Sequence, residues 1–137
     1  MVEGAVVLSV WLLIVFAAFD LSLAAFRYNA LSEAARRLAR EAIVRGSDSS
    51  PESVPWGPAS YTGNAGDESE FAETVLPVLA TMHPDDVQIN LQWPDATNDP
   101  DGRVHVQIVY EHDSVIPLMG SASTIPLRGD CVMRVVH

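Results

Sequence analysis

The first 45 residues constrain this chain more than anything that follows them. An apolar run from Ala5 to Phe19 sits behind Glu3, is interrupted at Asp20, and resumes as Leu21-Ser-Leu-Ala-Ala-Phe26. Neither Gly nor Pro breaks it, and it passes directly into an Arg-bearing stretch that ends at Arg45-Gly46. With Asp20 counted, the run is about 22 residues, roughly 33 Å as a helix, which suits a membrane span. A cleaved secretory signal would need a basic n-region, and Met1-Val2-Glu3-Gly4 supplies none. The rest of the chain is too small to surround the run as an ordinary core helix.

Residues 27–45 keep a helical period but change character. Leu31, Ala34, Ala35, Leu38, Ala42 and Val44 are expected along one side, and Glu33, Arg36, Arg37, Arg40 and Glu41 over the other. Ala is frequent, which favours helix and allows a partner backbone to come close. Gly46, followed by Ser-Asp-Ser-Ser-Pro51, reads as a stop with a C-cap glycine. One helix over 2–45, on the order of 65 Å long, is therefore expected. Its first half is soluble in lipid and its second half faces protein.

Charge divides at the same place. Residues 1–46 hold four acids and five arginines, or +1; residues 47–137 hold fourteen acids and three arginines, or −11, and together they give −10. A head this acidic repels nucleic acid, whose binding needs a cationic face. All flanking cations lie after the apolar run, which by the positive-inside rule would leave the acidic head in the cytoplasm. An exported head is reconciled with that rule if a short basic leader once preceded Met1. The single Cys131 excludes an intrachain disulfide and a two-cysteine metal site, and reads as a small buried hydrophobe.

Within 47–137 the pattern is that of a small head domain. Residues 47–66, rich in Ser, Pro, Gly and Asn, read as a long loop that Trp56 and Tyr61 could pin down. Asp67-Glu-Ser-Glu70 has the Asp-x-x-Glu form of a capping box, opening a helix expected to run to about Met82 with a kink or early end at Pro77. Three strands follow by alternation: Val87 to Trp93, Val104 to Tyr110, and Cys131 to Val136. A fourth, Pro-interrupted edge strand is expected over 123–128. The fold class expected is α+β, with a stalk over 1–46 and, over 47–137, a head of one short helix and a three- to four-stranded antiparallel sheet.

Motifs for chemistry are weak throughout. The loop Asp95 to Gly102 has carboxylates near calcium-loop spacing, but Thr97 stands at the third position and no Glu at the twelfth. It reads as a hairpin connection, with a weak calcium site as the alternative. His83, His105, His112 and His137 show no ligand spacing and read as surface or strand histidines. Gly120-Ser-Ala-Ser123 has no nucleophile-elbow context, and there is no phosphate loop. No enzymatic activity, cofactor or metal is expected. Glu3 and Asp20 stand apart, because carboxylates at or within an apolar span are costly and usually partnered. Glu3 is read either in the headgroup layer or neutralising an N-terminal amine, its own or a neighbour's. Asp20 is read either at a solvated boundary near Arg27, two turns on along the same side, or in an inter-subunit pair.

Val2-Glu3, the apolar run, Phe19-Asp20 and Arg27-Tyr-Asn-Ala-Leu-Ser-Glu-Ala-Ala-Arg36 together resemble the TadE-like proteins of tight-adherence (Tad/Flp) pili. The block Val104-His-Val-Gln-Ile-Val-Tyr110, Ile116-Pro-Leu118 and Met133-Arg134-Val135 resembles that family's closing strands. The resemblance implies a type IV pilin-like subunit that a prepilin peptidase processes, that is held single-pass in the inner membrane, and that a membrane assembly platform packs into an extracellular helical filament. It also implies that Glu3 serves recognition and docking, with Asp20 and Arg27 as further assembly residues. Partners are then copies of this chain and other pilins. The competing expectation is a membrane-anchored extracytoplasmic binding module that does not polymerise.

Overall fold

The computed structural model describes residues 2–114 and 124–136, with Val2 described as backbone only. Helix α1 spans Val2–Val44 without interruption. Two halves with different surroundings share it. From Glu3 to Phe19 nearly every side chain is exposed, while Leu31, Ala34, Ala35, Leu38 and Ala39 are fully buried. Val44 is 46% exposed and lies outside the buried stripe, contrary to its expected place there. Gly46 is buried, and among the described glycines only Gly57 takes a positive φ, so the helix does not end in the left-handed cap expected at Gly46. The chain turns away instead through Arg45 N–H donating to Ala42 C=O and Ser49 N–H to Gly46 C=O.

The sheet has four antiparallel strands in the order β1 (Tyr61–Asn64), β2 (Val87–Gln92), β3 (Arg103–Asp113) and β4 (Thr124–Arg134). β2 and β3 lie where alternation places them. β1 falls inside the stretch read as loop; its Thr-Gly-Asn sequence carries no apolar period, and pairing with β2 makes it a strand. β4 joins the expected edge strand and final strand into one eleven-residue strand in unbroken register with β3. Pro126 fits because β4 is an edge.

One face of the sheet buries Val87, Ile89, Leu91, Val104, Val106 and Ile108 under the second half of α1, so helix and sheet form two layers around one core. Each such aliphatic side chain contributes roughly 1.5–3 kcal/mol when fully removed from water. The stalk helix thus belongs to the head core from Ala30 onward. It lies tight against the sheet at Gly129, where a Cβ would stand 2.4 Å from the Leu31 carbonyl oxygen. The opposite face is polar: Thr62 donates to Asn90, and Gln107 to Asp130.

α2 is shorter than expected, Glu70–Val75, and a 3-10 turn at Leu76–Val78 carries Pro77. Its N-cap is Ser69, whose hydroxyl accepts from Ala72 N–H; Asp67 instead accepts from Asn64 N–H, so the expected capping box is not formed. Trp56 and Tyr61 do pin the preceding segment. Both rings pack on Phe71, at 4.5 and 4.4 Å, and the Arg45 guanidinium lies 4.6 Å over the Trp56 ring.

The loop after β2 is held by its own carboxylates. Asp95 accepts from the Arg103 backbone N–H and forms a bidentate pair with its guanidinium, which lowers its pKa to about 2. Asp99 accepts from Thr97 and Ser47, which likewise lowers its pKa. The calcium alternative finds no support in this arrangement, since Asp95 and Asp99 are engaged by Arg103, Thr97 and Ser47 and no group of three metal-capable side chains gathers among the described residues. Ile116-Pro-Leu118 and Gly120-Ser-Ala-Ser123 lie outside the described residues.

Candidate functional site

The place where the exposed half of α1 meets the head carries the chain's most unusual chemistry. Asp20 and Arg27 are two turns apart on one side of α1, as their spacing requires. Between them comes His112, delivered by the far end of β3. The alternation that buries Val104, Val106, Ile108 and Tyr110 continues two residues further and turns His112 inward too. It is fully buried, and Asp20 is 6% exposed.

The geometry fixes the protonation of this group. Arg27 Nη1 lies 2.6 Å from His112 Nδ1. A guanidinium has no lone pair to offer, so Nδ1 must be the acceptor and the imidazole proton resides on Nε2. Nε2 points towards Asp20, 3.4 Å from Oδ1, at ion-pair range rather than in a formed hydrogen bond. Asp20 Oδ2 accepts from Ser114 Oγ at 2.6 Å. Arg27 is held further by donating from Nη2 to the Thr81 carbonyl and by lying 5.2 Å over the Tyr110 ring. A neutral imidazole therefore joins a cation and an anion whose charges cancel within one chain. Burying such a pair is tolerable only when both members are held this closely.

Asp20 is accordingly neither in water nor available as a bare charge for a neighbour. Its own head, through β3 and Ser114, supplies its partners. Arg27, expected near it, is joined to it through His112. Glu3 lies elsewhere, exposed in the first turn of α1 and without an ion pair among the described residues; the amine it could neutralise, at Met1, lies outside them. The histidine was missed by looking for metal spacing, although the strand alternation carried past Tyr110 would have found it.

Beyond the junction α1 is bare. Trp11, Ile14, Phe16, Phe19 and Leu21 are between 48% and 75% exposed. A groove of about 490 Å³ on this surface is lined by Val15, Phe16, Phe19, Asp20 and Leu23. α1 is the one helix among the described residues long and apolar enough to cross a membrane, and its most apolar window is 6% buried within the chain.

The family model described as TadE-like protein matches residues 1–40. The N-terminal helix is TadE-like. The match covers the bare half of α1, Asp20, Arg27 and most of the face that packs on the sheet, and it stops before the head's own strands. No curated protein and no solved structure matches the chain. Together with the uncovered apolar helix, the match fits a membrane protein associated with the Tad pilus.

Proposed function

We propose that this chain is a structural pilin, held in the inner membrane by the bare half of α1 and then packed, through that same half, into an extracellular filament. The observation that carries the reading is the helix itself. One unbroken element has its second half sealed into a folded head and its first half uncovered over more than four turns. Lipid can cover that surface first and neighbouring helices afterwards. Apolar burial is worth about 25 cal/mol per Å² against water but far less against lipid, so transfer into a bundle depends on specific packing and on an external assembly machine. Its partners in this reading are copies of the chain, other pilins, a prepilin peptidase and the assembly platform; it catalyses no reaction. Glu3 is the docking residue, because it is the exposed carboxylate at the tip of the apolar half.

Two measurements test this. Shearing cells should release filaments in which this protein is a dominant band; a chain found only in the membrane fraction as a monomer or small oligomer would instead be an anchored binding module. Glu3→Ala should leave membrane insertion unchanged and reduce incorporation into filaments several-fold. Normal incorporation in that variant removes the role given to Glu3.

A further inference from the structure

The level of Asp20 on α1 bears on how far a bilayer can reach along the helix. From Glu3 to Asp20 the helix rises about 26 Å, short of the roughly 30 Å of a hydrocarbon core. From Glu3 to Phe26 it rises about 34 Å, which crosses that core at the ordinary tilt of about 20°. The surface agrees with the longer span. On the side of α1 turned away from the head, Ala18, Leu21, Ser22, Ala25 and Phe26 are all exposed. The hydroxyls of Ser9 and Ser22 donate to the Ala5 and Ala18 carbonyls, so neither needs water. Beyond Phe26 come Tyr28 and Asn29, both exposed, and a tyrosine there suits the membrane–water boundary.

The head is built for the same level. Asp20 lies about 9 Å from Phe26 along the helix, on the side of the bare half. A carboxylate in water or among headgroups would need no enclosure. This one is 6% exposed, with His112 and Ser114 closed over it. Arg27 is likewise occupied by His112, the Thr81 carbonyl and the Tyr110 ring. Ile125 is the ladder partner of His112, so it stands at the height of this bridge and on the α1 side of the sheet. It is 46% exposed. Uncovered apolar side chains from two elements, Leu21 and Phe26 of α1 and Ile125 of β4, thus come level with the two enclosed charges.

We propose that in the membrane-held protein the hydrocarbon layer reaches past Asp20 to Phe26, so that the end of the head formed by His112, Ser114 and Ile125 is itself a lipid-contacting surface. Its partner is the acyl region of the leaflet from which α1 emerges. The outer face of the sheet limits the immersion. At the same end it carries Asp85, Asp86, Glu111 and Asp113 around a cleft, and such carboxylates belong among headgroups and water. The helix therefore tilts so that the α1 side of the head sinks and the outer sheet face rises into the headgroup layer, roughly 5–8 Å deep on each side. This inference rests on the reading of α1 as a span and adds the depth at which head and bilayer meet.

The test uses the full chain with Cys131→Ser, reconstituted in vesicles of phosphatidylethanolamine and phosphatidylglycerol and nitroxide-labelled at one introduced cysteine at a time. Collision with oxygen reports lipid, and collision with a water-soluble nickel chelate reports water. Labels at Ile125→Cys and Phe26→Cys should resemble Ile14→Cys within the span. Their oxygen-to-nickel ratio should be several-fold above that of Val132→Cys and Glu111→Cys, both exposed on the outer sheet face. A ratio at Ile125→Cys equal to that at Val132→Cys overturns the contact. So does low collision with both reagents at Ile125→Cys, which means that protein and not lipid covers this end. If Ile14→Cys reports lipid while Ile125→Cys and Phe26→Cys report water, the depth fails and the span stands; if Ile14→Cys reports water, both fail.

Discussion

Gly129 is where the sheet meets helix backbone with no room for a Cβ, and it gives the sharpest test of how the stalk is joined to the head. A Cβ there would stand 2.4 Å from the Leu31 carbonyl oxygen, 2.5 Å from its carbon and 2.8 Å from Ser32 N. All three are helix backbone, so no side chain can rotate aside. Gly129→Ala must push α1 off the sheet by about 1 Å, and overpacking of this kind costs about 1–3 kcal/mol. For a domain near 100 residues, each kcal/mol lowers Tm by about 4–8 °C. Thermal unfolding of the detergent-solubilised chain, followed by circular dichroism, should therefore show a fall of about 5–20 °C. Val132→Ala on the exposed face of the same strand should change stability by no more than about 0.5 kcal/mol. Leu31 is one turn from Arg27, so lifting the helix should also lengthen the 2.6 Å contact with His112 and move the imidazole ring resonances. Unchanged Tm and unchanged ring resonances in Gly129→Ala would refute the claim that backbone contact at this point sets the height of α1.

Three other substitutions probe separate parts of the structure. His112→Ala leaves Arg27 and Asp20 without their bridge and should cost about 1–3 kcal/mol for the unmet polar groups, with a cavity term added, measured by urea unfolding of the same preparation. Leu38→Ala, at a fully buried position of α1, should cost about 2–5 kcal/mol in that assay while leaving membrane insertion intact. Asp95 has its pKa depressed by Arg103, so its contribution is fully present above the ordinary Asp range near 4 and is lost as pH falls through about 2. The difference in Tm between wild type and Asp95→Asn should accordingly be present at pH 6, be much reduced near pH 2 and vanish only below it.

How much of this was legible depended on whether the decisive force was local. Helix α1 and strands β2 and β3 were written in periodicity, because burial on one face repeats at 3.6 or 2 residues along the segment itself. α2 was mislocated because Ser69 and Asp67 both have capping chemistry, and the choice between them depends on Asp67 being claimed by Asn64 N–H. β1 could not be seen, since Tyr61-Thr-Gly-Asn64 becomes a strand only by pairing with a distant segment. Glu3, Asp20 and Arg27 stood out as charges in an improbable place. What they touch was hidden, because His112 is 85 residues from Arg27 in sequence and looks, by itself, like any strand histidine.

The junction also explains how one helix can serve two environments. A carboxylate at position 20 would ordinarily penalise placing this part of α1 against apolar surroundings. Here the penalty is met by the head, through His112 and Ser114, and the neutral imidazole lets Arg27 and Asp20 cancel without meeting directly. The compensation holds only if the helix keeps its height on the sheet. That height is set by backbone contact at Gly129 and by the small residues Ala34, Ala35, Ala39 and Ala42, which let the helix lie close. Close packing thus comes first, and the charge bridge follows from it. The bare half of α1 leaves the head at a defined level, with its one interior charge already neutralised. Such a helix can leave lipid for a bundle of its own kind without carrying an unpaired Asp20 into either.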